Sequence, residues 1–324
     1  MTHTHELRPL GQDREHLRAV LLEHWPWSPL DFIREISVAG DLQNYIGHLT
    51  RELDPANDLR FIQRDSSGDE LAILAERLPW DSNFFGFEIA RLHGLFPLDG
   101  PAKRLHADYH DAVRQLQETA RQRRIKYLFA QVDPRDLATL RNLTECGFGL
   151  IETRSYYHRS LRDYYYPERF PARQAGPADA DSLGWAARDL VNQYDRFHAD
   201  PFIPGADADR MMEVWARVSV LESFADATFV PDSPEPTAFM TVKYHQDKWE
   251  QWGLKVAQPV FAAISPEFRG WYQKLLSEIS YHLVDIGAEW SFACSQVTNR
   301  PALRVFENLG YRFGRCEHVL RVVL

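Results

Sequence analysis

The sequence predicts an α/β (α+β) fold in two similar halves, each a mixed, mainly antiparallel central sheet flanked by helices. Three observations predict it: an internal repeat, a longer amphipathic helix ahead of each copy, and a proline-interrupted stretch between the halves. Residues 124–148 lie over residues 287–311 without a gap. The first copy reads Arg124-Ile125-Lys126-Tyr127-Leu128-Phe129-Ala130, then Asp136, Thr139, Leu140 and Arg141, then Gly147-Phe148. The second reads Gly287-Ala288-Glu289-Trp290-Ser291-Phe292-Ala293, then Asn299, Ala302, Leu303 and Arg304, then Gly310-Tyr311. Each copy is a short apolar strand and an amphipathic helix. Each ends on a glycine where a helix C-terminus needs a left-handed residue.

Ahead of the copies, Leu105, Tyr109, Val113, Leu116 and Ala120 recur at helical spacing, as do Leu276, Ile279, Leu283 and Ile286. Further upstream, β-rich sequence runs from Leu71 to Leu78 and Glu88 to Leu95, and again from Thr237 to Tyr244 and Val256 to Ile264. Residues 162–179 carry Pro167, Pro171 and Pro177 and lose all periodicity, so they read as a linker. The expected domains are therefore 1–165 and 170–324. The aromatic stretch Trp25-Pro26-Trp27-Ser28-Pro29 reads as a loop packed onto a core, or less often as a pocket wall.

A composition of 44% hydrophobic and 26% charged residues is that of an ordinary globular protein with room for two cores. A net charge of -9 argues against nucleic acid as a partner, because phosphate binding needs a basic surface. Arg121, Arg123, Arg124 and Lys126 read as the solvated end of a helix. Three widely spaced cysteines give neither a disulfide framework nor a zinc motif, and no metal is expected. His3 and His5 read as part of a loose terminal segment. There is no basic start followed by an apolar run and no stretch of roughly eighteen apolar residues, so a cytoplasmic protein without a membrane span is expected. The oligomeric state stays open, a homodimer among the options.

The chemistry concentrates at Val260-Phe261-Ala262-Ala263-Ile264-Ser265-Pro266-Glu267-Phe268-Arg269-Gly270. An apolar strand runs into a turn, and a helix begins near Trp271. The unpaired N–H groups and positive dipole end of that helix make a seat for a pyrophosphate. Arg269 adds a cation, and Gly270 lets a ligand approach the backbone closely. Downstream, Asn299, Ala302 and Phe306 sit at spacing 0, 3 and 7 and share one helix face.

Ile-Ser-Pro-Glu-Phe-Arg-Gly followed by a helix resembles the acetyl-coenzyme A motif of the GNAT N-acetyltransferases. Asn299-x-x-Ala302-x-x-x-Phe306-x-x-x-Gly310-Tyr311 is similar to that family's later coenzyme-facing helix. Two further segments, Trp80-Asp81-Ser82-Asn83-Phe84-Phe85-Gly86 and Asp195-Arg196-Phe197-His198-Ala199-Asp200-Pro201, resemble the tandem GNAT type that acetylates amines of sugar nucleotides, such as dTDP-fucosamine. The resemblance covers the chain from about Leu71 onward. It implies a degenerate first half and a second half that binds acetyl-coenzyme A, or another acyl-coenzyme A, as cosubstrate. It places Ile264, Arg269, Gly270, Trp271, Tyr272, Gln273, Asn299 and Phe306 at the coenzyme. It places Arg196 and Asp200 at a small amine substrate and makes His198 the candidate base. Arg196 reads equally as half of a local salt bridge, and His198 as a structural histidine. Trp80, Asp81, Phe84 and Phe85 read first as a lock on the strands of the first half, and Asp81-Ser82 equally as a turn.

Two departures from the family pattern matter. The glycines that normally follow Arg-Gly are replaced by Trp271-Tyr272-Gln273-Lys274. The tyrosine that most members use as general acid is Phe306, which has no proton to give, a loss of roughly 10²–10⁴ in rate. The expected function is acyl-coenzyme A dependent N-acyltransfer to a small amine. The alternative is a GNAT-like binding or scaffold protein without catalysis. A tandem GNAT that uses charged tRNA is disfavoured by the acidic charge.

Overall fold

A computed structural model of the chain describes residues 6–25, 27–64, 68–98, 109–190, 192–222 and 224–324. His3, His5, Pro26 and Leu105 lie outside the described residues. The chain forms two compact units. Unit 1 comprises Met1–Asp31, Val38–Thr153 and Cys316–Leu324; unit 2 comprises Phe32–Ser37 and Arg154–Arg315. Unit 1 holds β1 (Glu6–Pro9), α1 (Arg14–His24), α2 (Val38–Leu49), β2 (Phe61–Arg64), β3 (Glu70–Arg77), α3 (Pro79–Phe85), β4 (Glu88–Pro97), α4 (His110–Gln122), β5 (Ile125–Val132) and α5 (Leu137–Glu145). The strand β6 (Gly149–Ser160) starts in unit 1 and ends in unit 2. Unit 2 continues with β7 (Ala172–Gln174), α6 (Ala180–Asp189), α7 (Gly205–Leu221), β8 (Ala227–Pro231), β9 (Ala238–Lys243), α8 (Trp249–Trp252), β10 (Val256–Ile264), α9 (Trp271–Asp285), β11 (Trp290–Gln296) and α10 (Arg300–Asn308). The last strand, β12 (Arg312–Val323), starts in unit 2 and ends in unit 1.

In unit 1 the strand order is β1-β2-β3-β4-β5-β12, and in unit 2 it is β6-β11-β10-β9-β8-β7. Among the strand pairs described within each unit, only β4 with β5 and β10 with β11 are parallel. Both sheets are therefore mixed and mainly antiparallel. The two halves exchange their last strands. β6 follows the first repeat yet pairs with β11 from Arg154 to Ser160, while β12 follows the second repeat and pairs with β5 from His318 to Val323. The units are for this reason not contiguous in sequence, unlike the 1–165 and 170–324 division that the proline stretch suggests.

Alternation along the strands fills both faces of the sheet in unit 1. Ile73, Ala75, Leu92 and Leu128 join Val113, Leu116 and Leu143 on the side of α4 and α5. Ile62, Ala72, Leu74 and Phe96 join Leu17, Leu21, Ile46 and Leu49 on the side of α1 and α2. In unit 2, Leu275, Leu276, Ile279 and Leu283 of α9 pack with Met240, Val242, Ala257 and Phe306. Each such large aliphatic side chain contributes about 1.5–3 kcal/mol by leaving water.

The repeat is realised as read. Asp136 and Asn299 both cap their helices by accepting the N–H of the third residue on, from Thr139 and Ala302. Gly147 and Gly310 both adopt left-handed backbone, at φ 88° and 77°. The residues read as a linker behave differently. They contain β7 and are strapped along α9: Tyr164 Oη donates to Ser277 Oγ at 2.8 Å, Arg169 grips Glu278 with both Nε and Nη2, and the Phe170 N–H donates to the same carboxylate. Proline removes regular structure there, but the aromatic and charged side chains still hold the segment to a helix. The loop at Trp25 packs onto the core, with its ring 4.1 Å from that of Phe96.

Candidate functional site

The parallel strands β10 and β11 pair at only two positions, Val256 with Trp290 and Ala257 with Ser291, and then part. The cause is in the sequence of β10. Pro259 has no N–H to give either neighbour. Between Pro259 and Ala262 a bulge inserts an extra residue opposite β9, with the Phe261 N–H turned to Thr241 Oγ1 at 3.1 Å. From Phe292 to Gln296, β11 has β6 on one edge and no β10 partner on the other. The backbone groups along that edge can pair with an extended ligand that carries amides.

The turn at the end of β10 sits beside this gap. Ser265 is anchored by its N–H to Thr237 O at 3.1 Å and by its hydroxyl to Thr237 Oγ1 at 2.7 Å. A single 3-10 turn, Pro266–Phe268, follows, and Gly270 starts α9 at φ 90°. An added Cβ at Gly270 would meet no heavy atom within 4 Å, so the space over the backbone is open. Arg269 is exposed. Trp271 and Tyr272 turn their bulk into the core, where the Tyr272 ring lies 6.2 Å from that of Phe306. Gly270, at the start of the fifteen-residue α9, has no side chain to cap its first N–H groups. The Gln273 side chain is engaged, donating to Tyr166 Oη at 2.7 Å. Ile264 is half-buried at the strand end.

On α10 the face shared by Asn299, Ala302 and Phe306 is the face turned to the core. Asn299 is occupied by its cap and by Ser295 Oγ, 3.0 Å from Nδ2. Phe306 is fully buried, with ring centroids of Tyr157, Tyr311 and Tyr272 5.5–6.2 Å away. Burial pushes the Tyr311 phenol up to about 12, and burial beside Tyr311 and Cys294 pushes the Tyr272 phenol up as well. Both are weaker acids than an exposed tyrosine.

Solved structures share this architecture. A GCN5-related N-acetyltransferase from Sphaerobacter thermophilus aligns with 98% of this chain and 95% of its own at a TM-score of 0.63 and 11% identity. A tandem GNAT protein from the clavulanic acid biosynthesis pathway aligns with 98% of both chains at a TM-score of 0.54 and 15% identity. The chain has a tandem GNAT-like fold. No family model matches its sequence, and no curated protein matches it.

Within this GNAT-like chain the remaining candidate residues lie in two further places. His198, in the loop between α6 and α7, is fixed by two carboxylates: Nδ1 is 2.7 Å from Asp195 Oδ2, and Nε2 is 3.1 Å from Asp209 Oδ1. Asp195 and Asp209 thus hold the imidazole at both of its ring nitrogens. Arg196 lies over the Phe197 ring at 4.3 Å, and buried Asp200 accepts the Phe202 N–H. These contacts make the segment a pinned loop. Asp209 lies on α7, outside the local Asp195–Pro201 segment that the sequence singles out.

In unit 1, the Trp80–Gly86 segment is helix α3 rather than a turn, closed by Gly86 at φ 74°. Ser82 takes the Leu78 carbonyl and the Ile89 N–H, and so ties the end of β3 to the start of β4. An open hollow of about 420 Å³ beside it is lined by Ser82, Asn83, Gly86, Phe87, Glu88, Arg124 and Lys126. Among the described residues no helix is long and apolar enough to cross a membrane.

Proposed function

We propose that the chain is an acyl-coenzyme A dependent N-acyltransferase that uses the gap between β10 and β11. The observation that carries this reading is the early parting of those strands beside the N-terminus of α9. The parted strands offer a place for a pantetheine arm, and the helix start with Arg269 offers a positive seat for a pyrophosphate. The GNAT-like fold supports the reading. Bound acyl-coenzyme A supplies an activated thioester carbonyl. The chain's part is to hold it against an amine, so that catalysis rests on positioning. Acetyl is the favoured acyl group, and a small amine such as an amino sugar nucleotide the favoured acceptor.

A second reading, a GNAT-like protein that binds without turnover, is favoured by Phe306 and by the fully engaged His198. Calorimetry with acetyl-coenzyme A, followed by thiol release in the presence of amines, separates the two. Saturable binding with thiol release supports the transferase, and binding without release supports the second reading. No heat up to about 1 mM ligand, a free energy near -4 kcal/mol, removes acetyl-coenzyme A from both.

A further inference from the structure

Unit 1 carries a side-chain cluster that the acyltransfer reading leaves unused. Like β10, the strand β4 has a bulge: Leu74 pairs with Gly94 but Ala75 pairs with Leu92, so His93 is an extra residue. In regular alternation position 93 would pass to the face of Ala75 and Leu95, inside an apolar cluster. The bulge gives that place to Leu92 and keeps the His93 imidazole on the face of α2, where Nε2 lies 3.0 Å from Glu76 Oε1. His48 of α2 brings its ring to 5.8 Å from that of His93. One ligand-type atom from each of His48, Glu76 and His93 lies within 4.8 Å of the others.

We propose that His48, Glu76 and His93 form a zinc-type divalent metal site. Two imidazole nitrogens and one carboxylate oxygen are a donor set that zinc accepts at about 2.0–2.2 Å, with ligand atoms about 3.3 Å apart in a tetrahedron. The Glu76–His93 contact is already near that spacing, so a cation would replace the proton that the two now share. Arg51 donates to the other oxygen of Glu76 and turns Oε1 toward His93, the part an outer partner plays at metal sites. His48 and Glu76 come from α2 and β3, and three protein ligands leave a coordination position on the exposed side of His48. The guanidinium of Arg51, with Arg91 two residues before His93 on β4, opposes the added charge. Affinity is therefore set on the order of micromolar, below that of closed structural zinc sites.

The test uses the full chain, stripped of metal with chelator. Zinc is titrated by calorimetry, and cobalt(II) by its visible absorption, which is strong only in a tetrahedral field. The expected result is one saturable site, with binding weakened at least tenfold in His48→Ala and in Glu76→Gln. His48→Ala lies on the exposed face of a helix, so its melting point without metal stays that of the parent while the zinc-induced rise is lost. His3→Ala with His5→Ala leaves binding unchanged. No saturable binding up to about 1 mM zinc overturns the proposal, as does zinc binding unchanged in His48→Ala and lost in the His3, His5 variant.

Discussion

In unit 1 the parallel strands β4 and β5 stay paired at five positions, from Glu88 with Ile125 to Leu92 with Ala130, which leaves only the last two residues of β5 beyond the pairing. In unit 2 the corresponding β10 and β11 pair at two positions and leave five residues of β11 beyond it. Both first strands carry a bulge, but in β4 it follows the paired stretch, and β4 has no proline before Pro97. In β10, Pro259 stands two residues beyond the last pair. The same strand–helix repeat is thus closed in one unit and open in the other. One proline and the position of one bulge distinguish a gap that can take a ligand from a continuous sheet.

This contrast can be broken at several points. The largest effect is expected from Phe306→Ala, which removes a fully buried ring from the core of unit 2 and costs about 3–5 kcal/mol, read from chemical unfolding. Phe306→Tyr, by contrast, sets a hydroxyl among rings that already fill the space. It costs about 1–3 kcal/mol and leaves thiol release no faster. A rate gain would show that position 306 reaches the coenzyme and that α10 turns this face to the site.

Next comes Arg269→Glu, which reverses an exposed charge at the open gap. Acetyl-coenzyme A affinity should fall by about 10–100-fold, roughly 1.4–2.8 kcal/mol, with the melting temperature unchanged. Calorimetry should also give one equivalent of ligand per chain. A second equivalent that survives the substitution would mean that unit 1 is not closed.

Acid should loosen unit 2. Burial holds the imidazoles of His158, His245 and His282 below the ordinary value of 6.5. Between their folded values and 6.5 the unfolded chain binds protons that the folded one does not. Their contribution to stability is present above about pH 6.5 and is lost as pH falls through the folded values. Melting scans from pH 7 to pH 5 should show a steady decrease. A flat profile would mean that these rings titrate as if exposed.

The smallest effects compare one turn in both units. Where the long helix meets the following strand, unit 2 has Gly287 at φ 84° and unit 1 has Arg124 at φ 61°. Gly287→Ala should cost about 1 kcal/mol and Arg124→Gly should gain up to about 1 kcal/mol, visible as opposite shifts in melting temperature.

Much of this was legible in the residues. The limits of β10 were read at Val256 and Ile264 and are found there, and the two glycine stops sit where the helical period ends. Periodicity reports which side of an element is buried. It does not report which strand lies next to which, so the exchange of β6 and β12 left no mark on the sequence. The strand, turn and helix around Ser265 to Gly270 carry a local signal and form where the sequence predicts them. Spacing 0, 3 and 7 at Asn299, Ala302 and Phe306 describes a core face as well as a ligand face, so the burial of Phe306 has no separate mark in the sequence. The cluster of His48, Glu76 and His93 joins one helix and two strands, and only a bulge brings it together.

The exchange of strands also orders the life of the chain. A ribosome releases every other strand of unit 1 long before β12, and Arg154–Arg315 of unit 2 emerge in between. Until β12 arrives, β5 has an open edge, and a nascent chain with such an edge is a partner for any other nascent chain. The second half must therefore be made, and its own sheet started on the borrowed β6, before the first half can close. Cutting the gene at the proline stretch should yield two fragments that fold poorly apart and recover only when mixed.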